Sequence, residues 1–268
     1  RAGLHAWTVK AAMEAELARR GMGTAYGSIV SPHGEVLHDE AHHHVLHPGD
    51  LLLADVGAET RGGWAADVTR TWPVSGHFDG PQRDLYAVVL AAQQAAIAAA
   101  VPGKRYRDVH LTAMRVMTEG LVALGILEGE VESLMADGLT AVFFPHGVGH
   151  LLGLDVHDME DLGDRAGYGP GQKRSKDGSL RYLRLDRVLT PGMAVTVEPG
   201  FYQVPALVDR CRDPRLNRKR LAAFASVRGI RIEDDVLVTA DGNEVLTAAI
   251  PKSIDDVEAA VGAPQGQD

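Results

Sequence analysis

Apolar and polar positions along the chain alternate between two periods. Trp7 to Arg20 repeats at helical spacing, with Thr8 as the predicted N-cap and Gly21 beyond the end. Two short β-like runs follow, Ala25 to Val30 and Glu35 to His38, around the turn Ser31-Pro32-His33-Gly34. Asp50 to Val56 is an apolar run of strand length, and Trp64 to Trp72 alternates as a strand does. From Pro81 to Gly125 the period turns helical, predicting two long helices broken at Pro102-Gly103. Ala141 to Phe144 predicts a short strand leading into a His/Gly-rich stretch, and residues 161–187 read as a long loop or hairpin. Met193 to Glu198 and Gly229 to Val238 read as buried strands. The turn Asp241-Gly242-Asn243 then precedes a last short strand and a helix from Ile254. Helices in each half, flanked by strands, predict an α+β fold rather than strict βαβ alternation. No linker interrupts residues 1–268, so one domain is expected.

Composition narrows the function classes. A net charge of -9 argues against a nucleic-acid partner, because phosphate binding needs a basic face. The basic run Arg215 to Arg220 reads as a solvated helix surface. Cys211 is the only cysteine, which rules out an internal disulfide and fits a reducing, cytoplasmic setting. No stretch of about 18 apolar residues occurs, so no membrane span is expected. The closest approach, Ala87 to Val101, is interrupted by Gln93 and Gln94. The chain opens at Arg1 without a methionine, and a further N-terminal, non-catalytic portion is expected ahead of it.

The chemistry lies where ionisable residues interrupt apolar runs. Asp55 ends Leu51-Leu52-Leu53-Ala54, Asp67 sits inside the next run, and Glu198 and Glu233 repeat the pattern in the C-terminal half. A buried carboxylate without a partner costs several kcal/mol, so each needs a cation or several donors. Taken singly, a strand-end Asp is more often a turn former or helix cap. Four of them around a histidine motif suit a pair of divalent cations bridged by carboxylates. That motif runs Pro145-His146-Gly147-Val148-Gly149-His150-Leu151-Leu152-Gly153-Leu154-Asp155-Val156-His157-Asp158. Three histidines separated by Gly and aliphatic residues cannot form a solvated face. They suggest one metal ligand and two substrate-facing hydrogen bonders.

The order Asp-x-Gly, Asp-x-Thr-Arg-Thr, HGVGHLLGLDVHD, VEPG and GIRIEDD resembles the pita-bread metallopeptidases, the family of methionine aminopeptidase, aminopeptidase P and prolidase. The likeness runs from about Trp7 to Gly262. It implies pseudo-two-fold halves and a curved antiparallel sheet covered by helices. The stretch from Gly178 to Gln203, and the long connection from Val204 to Asp235, look most like prolidase, the Xaa-Pro dipeptidase.

The resemblance further implies Asp55, Asp67, His150, Glu198 and Glu233 as metal ligands, with Asp67 and Glu233 bridging. His146 and His157 would face the substrate, His38 and Arg184 would bind it, and Arg231 would orient a ligand carboxylate. Glu198 would act as general base, then acid. Two cations are implied, with manganese preferred on a carboxylate-rich site and zinc or cobalt as alternatives. A proline-containing dipeptide or short peptide is the expected substrate, and a homodimer the expected assembly. Asp55 and Asp67 stand twelve apart, one residue more than the family's usual spacing, which Gly62-Gly63 can absorb in the intervening turn. His42-His43-His44 with His47 has no counterpart in the family pattern and reads as a solvated loop. Three rivals remain: an aminopeptidase P acting on longer peptides, an inactive relative serving as a binding module, and a creatinase-like amidinohydrolase.

Overall fold

The computed structural model describes residues 2–176 and 180–262, so residues 177–179 of the expected loop lie outside the described residues. Helix α1 (Ala6–Arg19) opens the first half. His5, not Thr8, precedes its first turn, and its side chain makes no cap. The amides of Ala6 and Trp7 bond instead to the carbonyls of His44 and His42, so a neighbouring loop does the capping.

Strands β1 (Gly23–Thr24), β2 (Ile29–Ser31), β3 (Leu51–Asp55), β4 (Ala58–Glu59) and β5 (Thr69–Pro73) follow. β2, β3 and β5 form an antiparallel sheet in that order, and β4 pairs with β1. Glu35 to His38 is not a strand. The Val36 amide closes a turn on the His33 carbonyl, 2.8 Å away, and Val36 is exposed, so the run has no apolar face to bury.

Helices α2 (Gly80–Ala99) and α3 (Tyr106–Ala123) cross the middle of the molecule. Asp79 and Gln82 form a reciprocal capping box at the start of α2, with Pro81 in its first turn. Leu85, Val89, Ala92 and Ala96 share one buried face, spaced three or four apart. Burying each of the larger ones contributes about 1.5–3 kcal/mol. A short α4 (Val131–Ala136) precedes a 3-10 turn at Thr140–Val142, where a strand was expected. The amides of Phe143 and Phe144 both turn back to the Thr140 carbonyl, at 3.0 and 2.9 Å, so the backbone curls instead of extending, while the two rings enter different apolar clusters.

The second half holds β6 (Leu151–Leu152), α5 (Asp164–Gly167), β7 (Ala194–Val197), β8 (Gly200–Tyr202), α6 (Pro205–Arg210), α7 (Arg218–Leu221), β9 (Gly229–Arg231), β10 (Asp234–Val238), β11 (Asn243–Val245) and α8 (Ile254–Gly262). Its main sheet runs β6-β7-β10-β11, entirely antiparallel, with β8 and β9 paired beside it. Among the described residues no helix is long and apolar enough to cross a membrane.

Candidate metal centre

Two expected strands break at the acids they carry. Asp67 precedes β5 rather than lying within it, and its amide points to the Asp235 carboxylate at 3.2–3.3 Å instead of a neighbouring strand. Glu233 falls between β9 and β10, its amide bonded to the Thr69 carbonyl at 3.0 Å. Each break turns a side chain out of the ladder and into the space between the halves. The segment between Asp55 and Asp67 closes in a hairpin end, where the Thr60 amide bonds to the Trp64 carbonyl and Gly63 takes a left-handed φ of 79°.

His150 is aimed by its neighbour. A side chain at Gly149 would collide with the Thr196 carbonyl and the Tyr106 hydroxyl, so only glycine lets the backbone lie this close to β7. The ring Nδ1 stands 2.9 Å from the Leu151 carbonyl, which can only accept. Nδ1 therefore carries hydrogen, and Nε2 faces Asp67 at 3.3 Å and Glu198 at 3.8 Å.

A cavity of about 540 Å³ opens here, and every site residue predicted from the sequence lines it: Asp55, Asp67, His146, His150, His157, Glu198, Glu233, His38, Arg184 and Arg231. Asp67, His150 and Glu233 bring ligating atoms within 4.8 Å of one another. Arg231 donates to Asp55 at 2.6 Å, to the Thr69 hydroxyl at 3.0 Å and to the Tyr202 hydroxyl at 3.2 Å. The Thr69 hydroxyl in turn donates to Glu233 at 2.6 Å. His146 donates from Nδ1 to the Gly147 carbonyl and accepts the Tyr202 hydroxyl on Nε2 at 2.9 Å. The ring of His157 stands edge-on to that of His150, with centroids 4.5 Å apart. Arg184 lies 3.5 Å from His157 Nδ1 and pairs with Glu160 at 2.5 Å.

Sequence reasoning missed several participants. The Tyr26 hydroxyl bridges Asp55 and Asp67, bonding to Asp67 Oδ1 at 2.6 Å. A tyrosine in a short β-like run carries no signal of this, since its partners lie 29 and 41 residues away. Tyr202 and Thr69 are similarly silent, and Arg174 and Tyr182 join the cavity wall from the long loop. Asp235 lay inside the GIRIEDD motif without an assigned role.

The titration behaviour reflects burial and crowding. Burial pushes Glu198 up to about 7, against the pull of His150 and Arg231. Burial likewise carries Asp235 to about 7 and Glu233 well above the usual carboxylate range, with Asp67, Glu198 and Asp55 adding repulsion to Glu233. Burial opposes the charge on both Asp67 and His150, but their mutual contact outweighs it: Asp67 is held low and His150 is raised to about 9. Burial drops His146 to about 3, leaving it neutral.

These residues fit a cation site on their own chemistry. Four carboxylates converge on one cavity whose arginines are already committed, Arg231 to Asp55, Arg184 to Glu160 and Arg174 to Asp164, and His150 presents Nε2 to Asp67 and Glu198.

Comparison with known proteins agrees with this class. The chain matches the profile described as Metallopeptidase family M24 over residues 1–240. It is 41% identical to the human Xaa-Pro dipeptidase over 216 residues, 79% of this chain and 42% of that protein. Xaa-Pro aminopeptidase 1 of Streptomyces coelicolor is 40% identical over 250 residues, 92% of this chain and 45% of that protein. Zn-substituted aminopeptidase P of E. coli, solved in complex with product, superposes with a TM-score of 0.79 at 35% identity, covering 98% of this chain and 53% of that one. The chain thus spans about half the length of the relatives it matches. Its architecture is the α+β pita-bread fold. The chain belongs to metallopeptidase family M24.

Proposed function

We propose that this chain carries the catalytic centre of a two-cation hydrolase that cleaves the Xaa-Pro bond of dipeptides. The observation that carries the reading is the convergence of Asp55, Asp67, His150, Glu198 and Glu233, from both halves, on one cavity. Two divalent cations held by these five side chains, manganese in preference to zinc or cobalt, would supply Lewis acidity and lower the pKa of water. Glu198 takes a proton from the attacking water and returns it to the departing proline nitrogen, a task suited to a carboxyl near 7. His157 stabilises the developing oxyanion, donating from Nε2 because Arg184 faces its Nδ1. His146 is held neutral, with its tautomer set by Gly147 and Tyr202, and forms the wall against which substrate packs. His38 lines the proline side, and Arg184 meets the substrate carboxylate. Arg231 opposes the rise that burial imposes on Asp55 and orients its carboxylate. A homodimer in the cytosol is part of the same reading.

The dipeptide preference is favoured by the long connection ahead of Glu233, whose helix α6 places Leu207 in the cavity wall. The resemblance to aminopeptidase P supports a second reading, in which the cavity admits longer peptides. Digestion of Gly-Pro beside a pentapeptide with proline second separates them. We expect Gly-Pro to be the better substrate; preference for the pentapeptide sinks the dipeptidase reading. Stoichiometric metal with turnover of neither peptide would leave a binding module.

A further inference from the structure

Arg70 does not line the cavity, yet it touches the backbone on both sides of the acidic centre. Its side chain is buried, and all five of its N–H groups find acceptors. Nη1 donates to the Glu233 carbonyl at 2.6 Å and to the Thr69 carbonyl at 3.0 Å. Nη2 donates to Asp234 Oδ1 at 2.8 Å and to the Ile250 carbonyl at 3.1 Å, and Nε donates to the Pro251 carbonyl at 2.9 Å.

We propose that Arg70 is a positioning residue, fixing β5 against the start of β10 so that Asp67 and Glu233 face each other across the centre.

The plainer account is a buried ion pair whose purpose is to neutralise Asp234. The donor set of Asp234 argues against it. That carboxylate also accepts from Thr247 at 2.7 Å, Gln93 at 2.7 Å and Lys252 at 2.5 Å. Lys252 therefore supplies a positive charge whether or not Arg70 is present. What Arg70 alone supplies is the grip on the two carbonyls. Thr69 and Glu233 already meet through an amide-to-carbonyl bond at 3.0 Å and a hydroxyl-to-carboxylate bond at 2.6 Å. The guanidinium adds a third tie to the same two residues and anchors it to the segment before α8. Lysine cannot replace it, since its ammonium is a compact donor with no planar fork to span acceptors on separate strands.

The inference rests on reading Asp67 and Glu233 as cation ligands, and the experiment separates the two. Mn2+ binding to the full chain is measured by electron paramagnetic resonance for the wild type, Arg70→Lys and Lys252→Met, beside the thermal midpoint of each. Lys252→Met removes a donor to Asp234 while leaving both carbonyls held. Both variants should lose thermal stability. Arg70→Lys alone should weaken Mn2+ binding, on the order of 10–100-fold as expected when the support of a ligand is lost. It should also lower kcat on Gly-Pro at saturating Mn2+ more than it raises KM. Equal Mn2+ affinity in Arg70→Lys and the wild type overturns the inference, as does equal weakening in both variants. A wild-type chain that takes up no Mn2+ sinks the reading of the centre and the inference with it. Should Arg70→Lys fail to fold, Arg70→Gln, whose single amide nitrogen replaces the guanidinium fork, gives the second arm: Mn2+ affinity in Arg70→Gln equal to that of the wild type also overturns it.

Discussion

The two halves bring opposite chemistry to the centre. The first contributes Asp55 and Asp67 on one hairpin, with the Tyr26 phenol between them and no arginine or lysine among the cavity residues. The second contributes Arg231 and three histidines together with Glu198 and Glu233. Asp55 is neutralised by Arg231 at 2.6 Å, and Asp67 faces His150 at 3.3 Å. Backbone and hydroxyl bonds between Thr71 and Arg231 lock the seam. Neither half could bury its acids alone, because the desolvation cost would go unmet. The halves also differ in cover. Helices α2 and α3 pack over the second sheet, whereas α1 leaves an apolar groove of about 770 Å³ along β3, β5 and α8. The candidate site is the seam between the two halves, and the second sheet is the one that α2 and α3 cover.

The largest effects should come from residues on that seam. Glu198→Gln is expected to lose about 10²–10⁴-fold in kcat on Gly-Pro, the usual contribution of a positioned acid–base group, while calorimetry still records metal uptake. Asp67→Ala should lose metal uptake itself; a metal-free Asp67→Ala with wild-type turnover would break the two-cation account. Next comes the cross-half ion pair. Arg231→Leu leaves Asp55 buried and uncompensated, and should cost about 3–5 kcal/mol in urea unfolding of the metal-free chain. Replacing both partners with leucine should cost less than Arg231→Leu alone. A double variant as damaged as the single one would show that the pair does not join the halves.

How much of this was legible in the sequence differs between fold and site. Helical periodicity located α2 and α3, because each has a continuous buried face, and the Gly and Pro between them marks the break. The strands carrying Asp67 and Glu233 were read as continuous because their composition is β-prone. Their interruptions depend on bonds to Asp235 and Thr69, more than 160 residues away, which no local pattern encodes. All ten residues that the family resemblance implied line one cavity. Tyr26 and Tyr202 escaped notice because a tyrosine reads as core until its long-range partners are known. Arg70, inside the Asp-x-Thr-Arg-Thr motif, carried no role because most of its acceptors lie more than 160 residues away.

The charge asymmetry between the halves also predicts a pH dependence. In the metal-free chain Glu198 and Asp235 are raised to about 7 by burial, and His150 to about 9 by its contacts with Asp67 and Glu198. Each binds its proton more tightly folded than unfolded. Their stabilising contribution is complete below the unfolded values and is lost as pH rises, through about 7 for the two acids and about 9 for His150. Urea midpoints in chelator should therefore fall between about pH 6 and about pH 9. Excess Mn2+ should reduce or reverse the fall, since bound cations favour deprotonated ligands. A chelated midpoint that rises across this range would mean that Glu198, Asp235 and His150 are not buried and partnered as described.

The smallest effect tests the hairpin that carries both first-half acids. Gly63 holds a φ of 79°, and a methyl added there would find only Leu154 Cδ2 nearby, at 3.8 Å, so alanine meets no clash and costs only backbone strain. Gly63→Ala should cost about 1–2 kcal/mol, the penalty for an L-residue in the left-handed region. Gly62 has an ordinary φ, and an alanine methyl there would rest 3.4 Å from Trp64, so Gly62→Ala should leave the thermal midpoint nearly unchanged. Mn2+ affinity adds a second reading of the same pair. Because the ladder from Val56 to Val68 resumes below the turn, strain at its tip should stay there, and both variants should bind Mn2+ as the wild type does. Loss of Mn2+ binding in Gly63→Ala would mean that the turn, and not the seam with the second half, sets the spacing of Asp55 and Asp67.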